Sequence, residues 1–482
     1  MLTFRARSAR LCDGLTRRDV LHVGGLGALG LTLPALFARQ AQAVGKPLIR
    51  ASGGKAKSCI LLFLMGGPPQ HSTWDPKPDA PAEVRGEIGP INTNVPGIQF
   101  GELMPKLATM ADKLCVLRAV STGDNAHSAS GYYMLTGRPH VPMNQENANP
   151  GFPNDWPSMG GVVQQLAGAS AHPGPLPQGA REPISLPASV RLPMHIFNTD
   201  GSVWPGQDAG FLGRPCDPWL FRCEPASKDF QIPQFSLPVD VTMDRLQGRR
   251  SLLDQLNGPL DAVQRTGALE HYSGLAQRAY DLLASPQSRA AFKLDDEPQA
   301  LRERYGMTQF GQSTLLARRL VQAGVKLVQV NWFRGPDEPS DAPCWDSHAG
   351  ETKRLREVLI PPTDNAFSAL LEDLSQRGML DETLVVCLAE FGRTPKMNGR
   401  GGRDHWGPVF SIAMAGGGIR GGMVYGASDA LGGQPKDGLV RPEDITATIF
   451  HCLGYAPETQ MHEPQGRGLA ISQGEVIGGI LA

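Results

Sequence analysis

Thr383-Leu384-Val385-Val386-Cys387-Leu388-Ala389-Glu390-Phe391-Gly392-Arg393-Thr394-Pro395 is an apolar run that stops at a carboxylate and enters a glycine-containing loop. An uninterrupted apolar run of this length predicts a strand buried on both faces, the hallmark of a parallel sheet covered by helices. Open α/β sheets present their ligand-binding groups just beyond the carboxyl ends of such strands. Glu390 therefore stands where chemistry is expected. A second glycine-rich loop, Gly402-Arg403-Asp404-His405-Trp406, follows closely and supplies an acid–imidazole pair.

Working outward, Pro362 to Arg377 carries Phe367, Leu370, Leu371 and Leu374 on one stripe, which predicts an amphipathic helix ending near Gly378. Val325 to Trp332 and Val409 to Ala415 read as buried strands, the former preceded by a helix over Gln312 to Ala323. Ser58 to Met65 predicts a first buried strand closed by Gly66-Gly67-Pro68-Pro69, and Leu114 to Val120 another. Helices are expected over His127 to Gly137, Met159 to Leu166, Asp244 to Leu283, Glu297 to Arg304 with Pro298 in its first turn, and Glu443 to Leu453 after Pro442. Strands alternating with helices predict an α/β fold with a mostly parallel, doubly wound sheet and helices on both faces. From about His140 to Pro238 proline and glycine are frequent and apolar periodicity is poor. That stretch reads as long surface excursions, and Pro/Gly-rich and helical insertions are expected at about 140–310.

The first residues read as an address. Arg5, Arg7 and Arg10 precede Thr16-Arg17-Arg18-Asp19-Val20-Leu21, a glycine-rich apolar stretch from Gly24 to Phe37 follows, and Ala41-Gln42-Ala43 has the small-residue cleavage pattern. Paired arginines before a weakly apolar core predict a twin-arginine signal over 1–43, with 44–482 as a single domain exported already folded to the periplasm or beyond. Val20 to Ala38 is just long enough to span a bilayer, and an anchor is the alternative. No later segment is apolar enough, so no membrane span is expected in the mature chain. Lys plus Arg total 46 and Asp plus Glu 47, a net charge of −1, which provides no field to hold nucleic acid. There are 8 cysteines; Cys12 leaves with the signal, and Cys216 and Cys223 are spaced to pair in an oxidising compartment.

Three acid–histidine groups fall at strand ends or in the loops after them: Asp346-Ser347-His348, Glu390, and Asp404-His405. Each alone can cap a loop or pair with Arg393, Arg400 or Arg403. Brought together at one sheet edge, their carboxylates and neutral imidazoles suit a divalent ion such as zinc or manganese. His71 and Asp75 lie in the loop after the first strand and are expected near the same edge, although Asp75 before Pro76 also suits a turn. His127 opens a predicted helix, where its side chain can face the cleft. His451, on an apolar stretch of the last helix, reads as structural.

These residues carry a resemblance. His127 to Pro139, ending Leu135-Thr136-Gly137-Arg138-Pro139, is similar to the sulfatase signature that begins at the nucleophile and ends in Thr-Gly-Arg. The run from Pro362 to Gly392 resembles the matching helix and acid-ended strand of the alkaline phosphatase superfamily. Asp346-Ser347-His348 resembles its acid-and-histidine pair, and His405 its late histidine ligand. With Asp75-Pro76-Lys77-Pro78 and the export signal, the whole mature chain resembles an uncharacterised, exported, sulfatase-like bacterial family of that superfamily.

The resemblance implies an alkaline-phosphatase-like three-layer α/β/α fold and a metal-dependent hydrolase of sulfate or phosphate esters. It implies a divalent ion (zinc, manganese or calcium) and a small-molecule or glycan ester as substrate. Departures refine this. The first strand delivers Met65-Gly66-Gly67 where the superfamily has an aspartate, and the nucleophile position falls on His127. Glu390 replaces the usual Asp, and Phe391 stands where Asn or His would ligate. One metal position is thus stripped, and the other keeps Asp346, His348 and His405, with Glu390 and Asp404 assisting. His127 is expected as nucleophile or general base. Ser128 is the alternative nucleophile by a one-residue shift, about 100° around the helix. Arg393 or Arg403 would offset the substrate's charge. The alternative function is a catalytically idle protein that binds an anionic glycan or a partner protein.

Overall fold

The structure, a computed structural model, describes residues 49–170, 186–228, 230, 285–335, 338 and 343–482, with five isolated positions between 245 and 252. The expected signal over 1–43 and most of the expected helix over 244–283 lie outside the described residues.

The central sheet contains β1 (Ser58–Phe63), β2 (Leu114–Val120), β3 (Ser189–Leu192), β4 (Trp219–Leu220), β5 (Leu327–Asn331), β6 (Thr383–Leu388), β7 (Phe410–Ala415) and β8 (Met423–Tyr425). Their order across the sheet is β8-β2-β7-β6-β1-β5-β3-β4. All neighbours pair parallel except β7, which runs antiparallel to both β6 and β2. Every residue of β1, β5 and β6 is buried, as strands covered on both faces must be. The mostly parallel sheet read from the sequence is therefore present.

Helices flank it on both sides: α4 (Gln309–Gln322) packs against α5 (Ile360–Gln376), and α1 (His127–Thr136) against α6 (Pro442–Cys452). Two further helices, α2 (Met159–Ser170) and α3 (Gln299–Tyr305), complete the expected set among the described residues, and Pro298 caps α3 from outside rather than sitting in its first turn. Gly137 closes α1 in the left-handed region, φ 69°, its N–H bonding back to the Tyr133 carbonyl.

One expectation is corrected. The stretch from 140 to 238 is not wholly a surface excursion, because Ser189–Leu192 lies in it, fully buried, and pairs parallel with β5. Four residues between proline-rich flanks are too few for periodicity to reveal. Nor does a disulfide join Cys216 to Cys223.

The topology positions the site. β1, β5 and β6 are adjacent and parallel, so their carboxyl ends share one edge. β7 runs the other way and therefore begins at that edge, with Phe410 opposite Val120, the last residue of β2. Four connections converge there: those after β1, β2 and β5, carrying Gly66, Asn125 to His127 and Asp346 to His348, and that between β6 and β7, carrying both Glu390 and Asp404-His405.

Candidate metal centre

Gly66, at φ 110°, lets the loop carrying Asp346 lie against the end of β1: a Cβ there would sit 2.3 Å from the Asp346 amide nitrogen. A Cβ on Gly402 would sit 2.3 Å from the His348 carbonyl carbon, so this glycine allows the second loop to approach the first. A two-residue ladder, Gly392–Arg393 against His405–Trp406, fixes His405 over the end of β6.

The Asp346 carboxylate is the hub. His127 Nε2 lies 3.2 Å from Oδ2, and His405 Nε2 and His348 Nε2 each lie 3.0 Å from Oδ1. Each imidazole is turned by an oxygen on its other nitrogen. Glu390 Oε1 is 2.7 Å from His127 Nδ1, Asp404 Oδ1 is 2.9 Å from His348 Nδ1, and the Asn125 carbonyl is 2.7 Å from His405 Nδ1. Orienting oxygens of this kind set the tautomer of histidines that ligate metals. Glu390 is fully buried, also accepts the Gly66 N–H at 2.8 Å, and keeps Oε2 without a partner among the described residues.

Electrostatics separate the three rings. Burial disfavours charge on His127, yet the Asp346 and Glu390 carboxylates outweigh it and push the pKa up to about 10. Burial, reinforced by His127, pushes His405 down to about 3. The hydrogen bond to Asp346 raises His348 against its desolvation. Burial would raise Asp346, but Arg393 and His127 hold it far below the carboxylate range.

The His405 tautomer tests the fit of a metal. Its Nδ1 must donate to the Asn125 carbonyl, so the neutral ring turns a lone pair at Nε2 towards Asp346 Oδ1 and His348 Nε2, both 3.0 Å away. Two acceptors facing each other need a cation or proton between them. The ligand atoms of His127, Asp346 and His405 all lie within 4.8 Å of one another, a group able to hold a metal ion. Tetrahedral zinc with bonds of about 2.0 Å needs ligand edges of about 3.3 Å, close to these contacts.

The residues expected from the sequence divide. His127, Asp346, His348, Glu390, Asp404 and His405 are brought together. His127, expected as nucleophile or general base, also falls within the group able to hold a metal ion. Five other expectations are corrected. His71 is buried elsewhere, its Nε2 donating to the Leu431 carbonyl at 2.8 Å, and burial pushes its pKa down to about 3. Asp75 is locked by Lys77 at 3.0 Å, Arg118 at 3.4 Å and the Ser428 hydroxyl at 2.5 Å. Ser128 is fully buried, donating to the Gln145 carbonyl and accepting the Ala148 N–H, and so cannot attack a substrate.

Arg403 is fully buried too. Its guanidinium donates to Glu351 Oε1 and to the carbonyls of Thr394, Pro395 and Val84. Arg393 does reach Asp346, with Nη2 2.6 Å from Oδ1, but its remaining donors are taken by the carbonyls of Gly66, Gly67, Trp345 and Arg403. It balances Asp346 and, being fully buried, exposes no donor to a substrate.

Sequence reasoning missed Asn125, whose contribution is a backbone carbonyl that no residue type announces. It also missed Glu146, which accepts the His127 N–H at 3.0 Å and stands 3.7 Å from His405 Nδ1. His127, Asp346 and Glu146, with Trp204, Phe197 and Arg334, line a small cavity of about 60 Å³ that opens to solvent.

Among solved structures, the chain is similar to the PsFucS1 sulfatase from Pseudoalteromonas sp., at 14% identity over 84% of this chain and 68% of that one, TM-score 0.36. It is also similar to the phosphonate monoester hydrolase SpPMH from Silicibacter pomeroyi, at 11% identity over 88% and 76%, TM-score 0.37. The lipoteichoic acid synthase LtaP from Listeria monocytogenes is a third, at 10% identity over 88% and 79%, TM-score 0.35. No curated protein matches. The sequence profile of the family described as "Protein of unknown function (DUF1501)" matches residues 56–481, in line with the resemblance read from the residues, and the chain belongs to that family.

Proposed function

We propose that this protein is an exported hydrolase of sulfate or phosphate esters that works with one divalent ion held by His127, Asp346 and His405. One observation carries the reading: three imidazoles turn Nε2 towards a single carboxylate while an oxygen holds each Nδ1. Zinc and manganese suit two imidazoles and a carboxylate best, and calcium, which prefers oxygen ligands, suits them less. When bound, such an ion would polarise an ester oxygen and bring the pKa of water to about 7.

The chain's own residues supply the rest. Glu390 and the Asn125 carbonyl hold the two ligand rings in register. His348, outside the triad, has Asp404 on Nδ1 and its Nε2 at the reacting edge, an arrangement suited to taking and returning a proton. Arg393 keeps Asp346 ionised. With Ser128 buried and bonded, no side-chain hydroxyl among the expected residues is placed to attack, which favours water as nucleophile. Export rests on the Arg17-Arg18 signal read from 1–43, with 44–482 as the mature domain.

The test is a screen of aryl sulfates, phosphomonoesters and phosphodiesters on protein purified from its native periplasm, with elemental analysis of the same sample. Turnover that disappears on chelation and returns with zinc or manganese is expected. Metal below about 0.2 per chain, unchanged in His127→Ala, His405→Ala protein, would rule out the metal group.

A further inference from the structure

With Arg393 and Arg403 fully buried, the proposed reaction still needs an accessible cation to receive the substrate's negative charge. The cavity beside His127 and Asp346 contains one. Arg334 follows β5, is only partly buried, lines the cavity, and has no ion-pair partner among the described residues. A strap, residues 140–154, brings Glu146 and Asn147 to the same cavity. The strap is held by the Ser128 hydroxyl, by the Asp124 carboxylate on the Asn144 N–H at 2.9 Å, and by Asn154, which bonds both backbone groups of Val141. Asn147 sits at φ 49°, and its side-chain amide makes no hydrogen bond among the described residues. Phe197 supplies an apolar wall.

We infer that Arg334 is the anion receptor of this cavity, binding the sulfuryl or phosphoryl oxygens of an ester whose polyhydroxylated remainder lies between Phe197 and the strap. A guanidinium offers paired N–H donors matched to such oxygens. Glu146 as acceptor and the Asn147 amide as donor and acceptor complement hydroxyl groups, and an aromatic face complements the C–H side of a sugar ring. Asp346 is already answered by Arg393, Nη2 to Oδ1 at 2.6 Å, so its charge does not call on Arg334.

This assignment rests on the proposed hydrolase for its substrate class, but its test does not require turnover. Orthophosphate and sulfate are titrated into the full chain, with zinc supplied, by calorimetry and by thermal shift. The same is done for Arg334→Ala, Arg334→Lys and, as a remote charge control, Arg467→Ala. At least one anion is expected to bind, with affinity about tenfold or more weaker in Arg334→Ala, partly kept in Arg334→Lys and unchanged in Arg467→Ala. Equal affinity in wild type and Arg334→Ala, or no binding of either anion by wild type, overturns the assignment. If anions bind through Arg334 but no ester is turned over, the receptor stands and the hydrolase reading fails. If esters are turned over with the same KM in Arg334→Ala, the hydrolase stands and the receptor fails.

Discussion

Glu390 Oε1 lies 2.7 Å from His127 Nδ1, joining the end of β6 to the first turn of α1 across 263 residues of sequence. The carboxylate does not reach into the cleft. It is fully buried and acts on the ring that does, fixing which nitrogen of His127 faces Asp346.

Replacing this carboxylate by its amide keeps the shape and removes the charge. Glu390→Gln is expected to fold and to lose about 10- to 100-fold in zinc affinity, as orienting partners of metal-bound histidines typically do. Competition with a chromophoric chelator measures it. An unchanged affinity would mean that Glu390 serves only the Gly66 N–H.

His348 and His405 touch the same carboxylate oxygen but are assigned different work, and substitution should separate them. His405→Ala is expected to purify without stoichiometric metal. His348→Asn is expected to keep its metal while kcat falls about 100-fold or more. Metal content by elemental analysis and kcat on the best ester from the screen provide the comparison. Loss of metal in both variants would make His348 a fourth ligand instead.

Metal affinity should rise with pH. His127 has a folded pKa raised to about 10, above its ordinary 6.5, so without metal its ion pairs stabilise the fold fully below 6.5. That stability is lost as pH climbs towards 10. An ion needs the ring deprotonated and must displace this proton, so apparent affinity should increase about tenfold per pH unit from neutrality upwards. Calorimetric titrations with zinc at pH 6.5, 7.5 and 8.5 give the slope, and a flat profile contradicts a protonated His127.

Ser128 was the alternative nucleophile on sequence grounds, and its hydroxyl instead bridges α1 to the strap at the Gln145 carbonyl and the Ala148 N–H. Ser128→Ala should cost about 1–3 kcal/mol in urea unfolding, because it leaves the buried Ala148 N–H and the partly buried Gln145 carbonyl unpaired. The kcat of the folded fraction should change by no more than a few-fold. A catalytic loss far beyond the stability loss would restore Ser128 to the reaction.

Much of the sheet was legible because buried strands declare themselves locally. The runs at Ser58, Leu114, Thr383 and Val409 are apolar enough to be read without their partners, and the structure keeps them within a residue or two, the first ending at Phe63. Ser189–Leu192 escaped because its burial comes from pairing with Leu327–Val330, not from its own composition. The acids and histidines at the strand ends were legible for the same reason: the point where an apolar run stops marks the sheet edge.

Residue chemistry alone did not reveal which charged groups are spent inside the protein. Arg393 and Arg403 look identical to substrate-binding arginines in the sequence. Only the folded loops show their donors occupied by the carbonyls of Gly66, Gly67, Thr394 and Val84.

The sequence by itself determined the layered α/β architecture and the set of strand-end acids and imidazoles, because burial and periodicity act over a few neighbouring residues. Tertiary structure alone decided which of those groups meet. His71 and Asp75 were turned away into their own hydrogen bonds, and His127 was turned towards Asp346 by Glu390. Such choices depend on close contacts between loops hundreds of residues apart, where a glycine, a carbonyl or a lone pair sets the geometry.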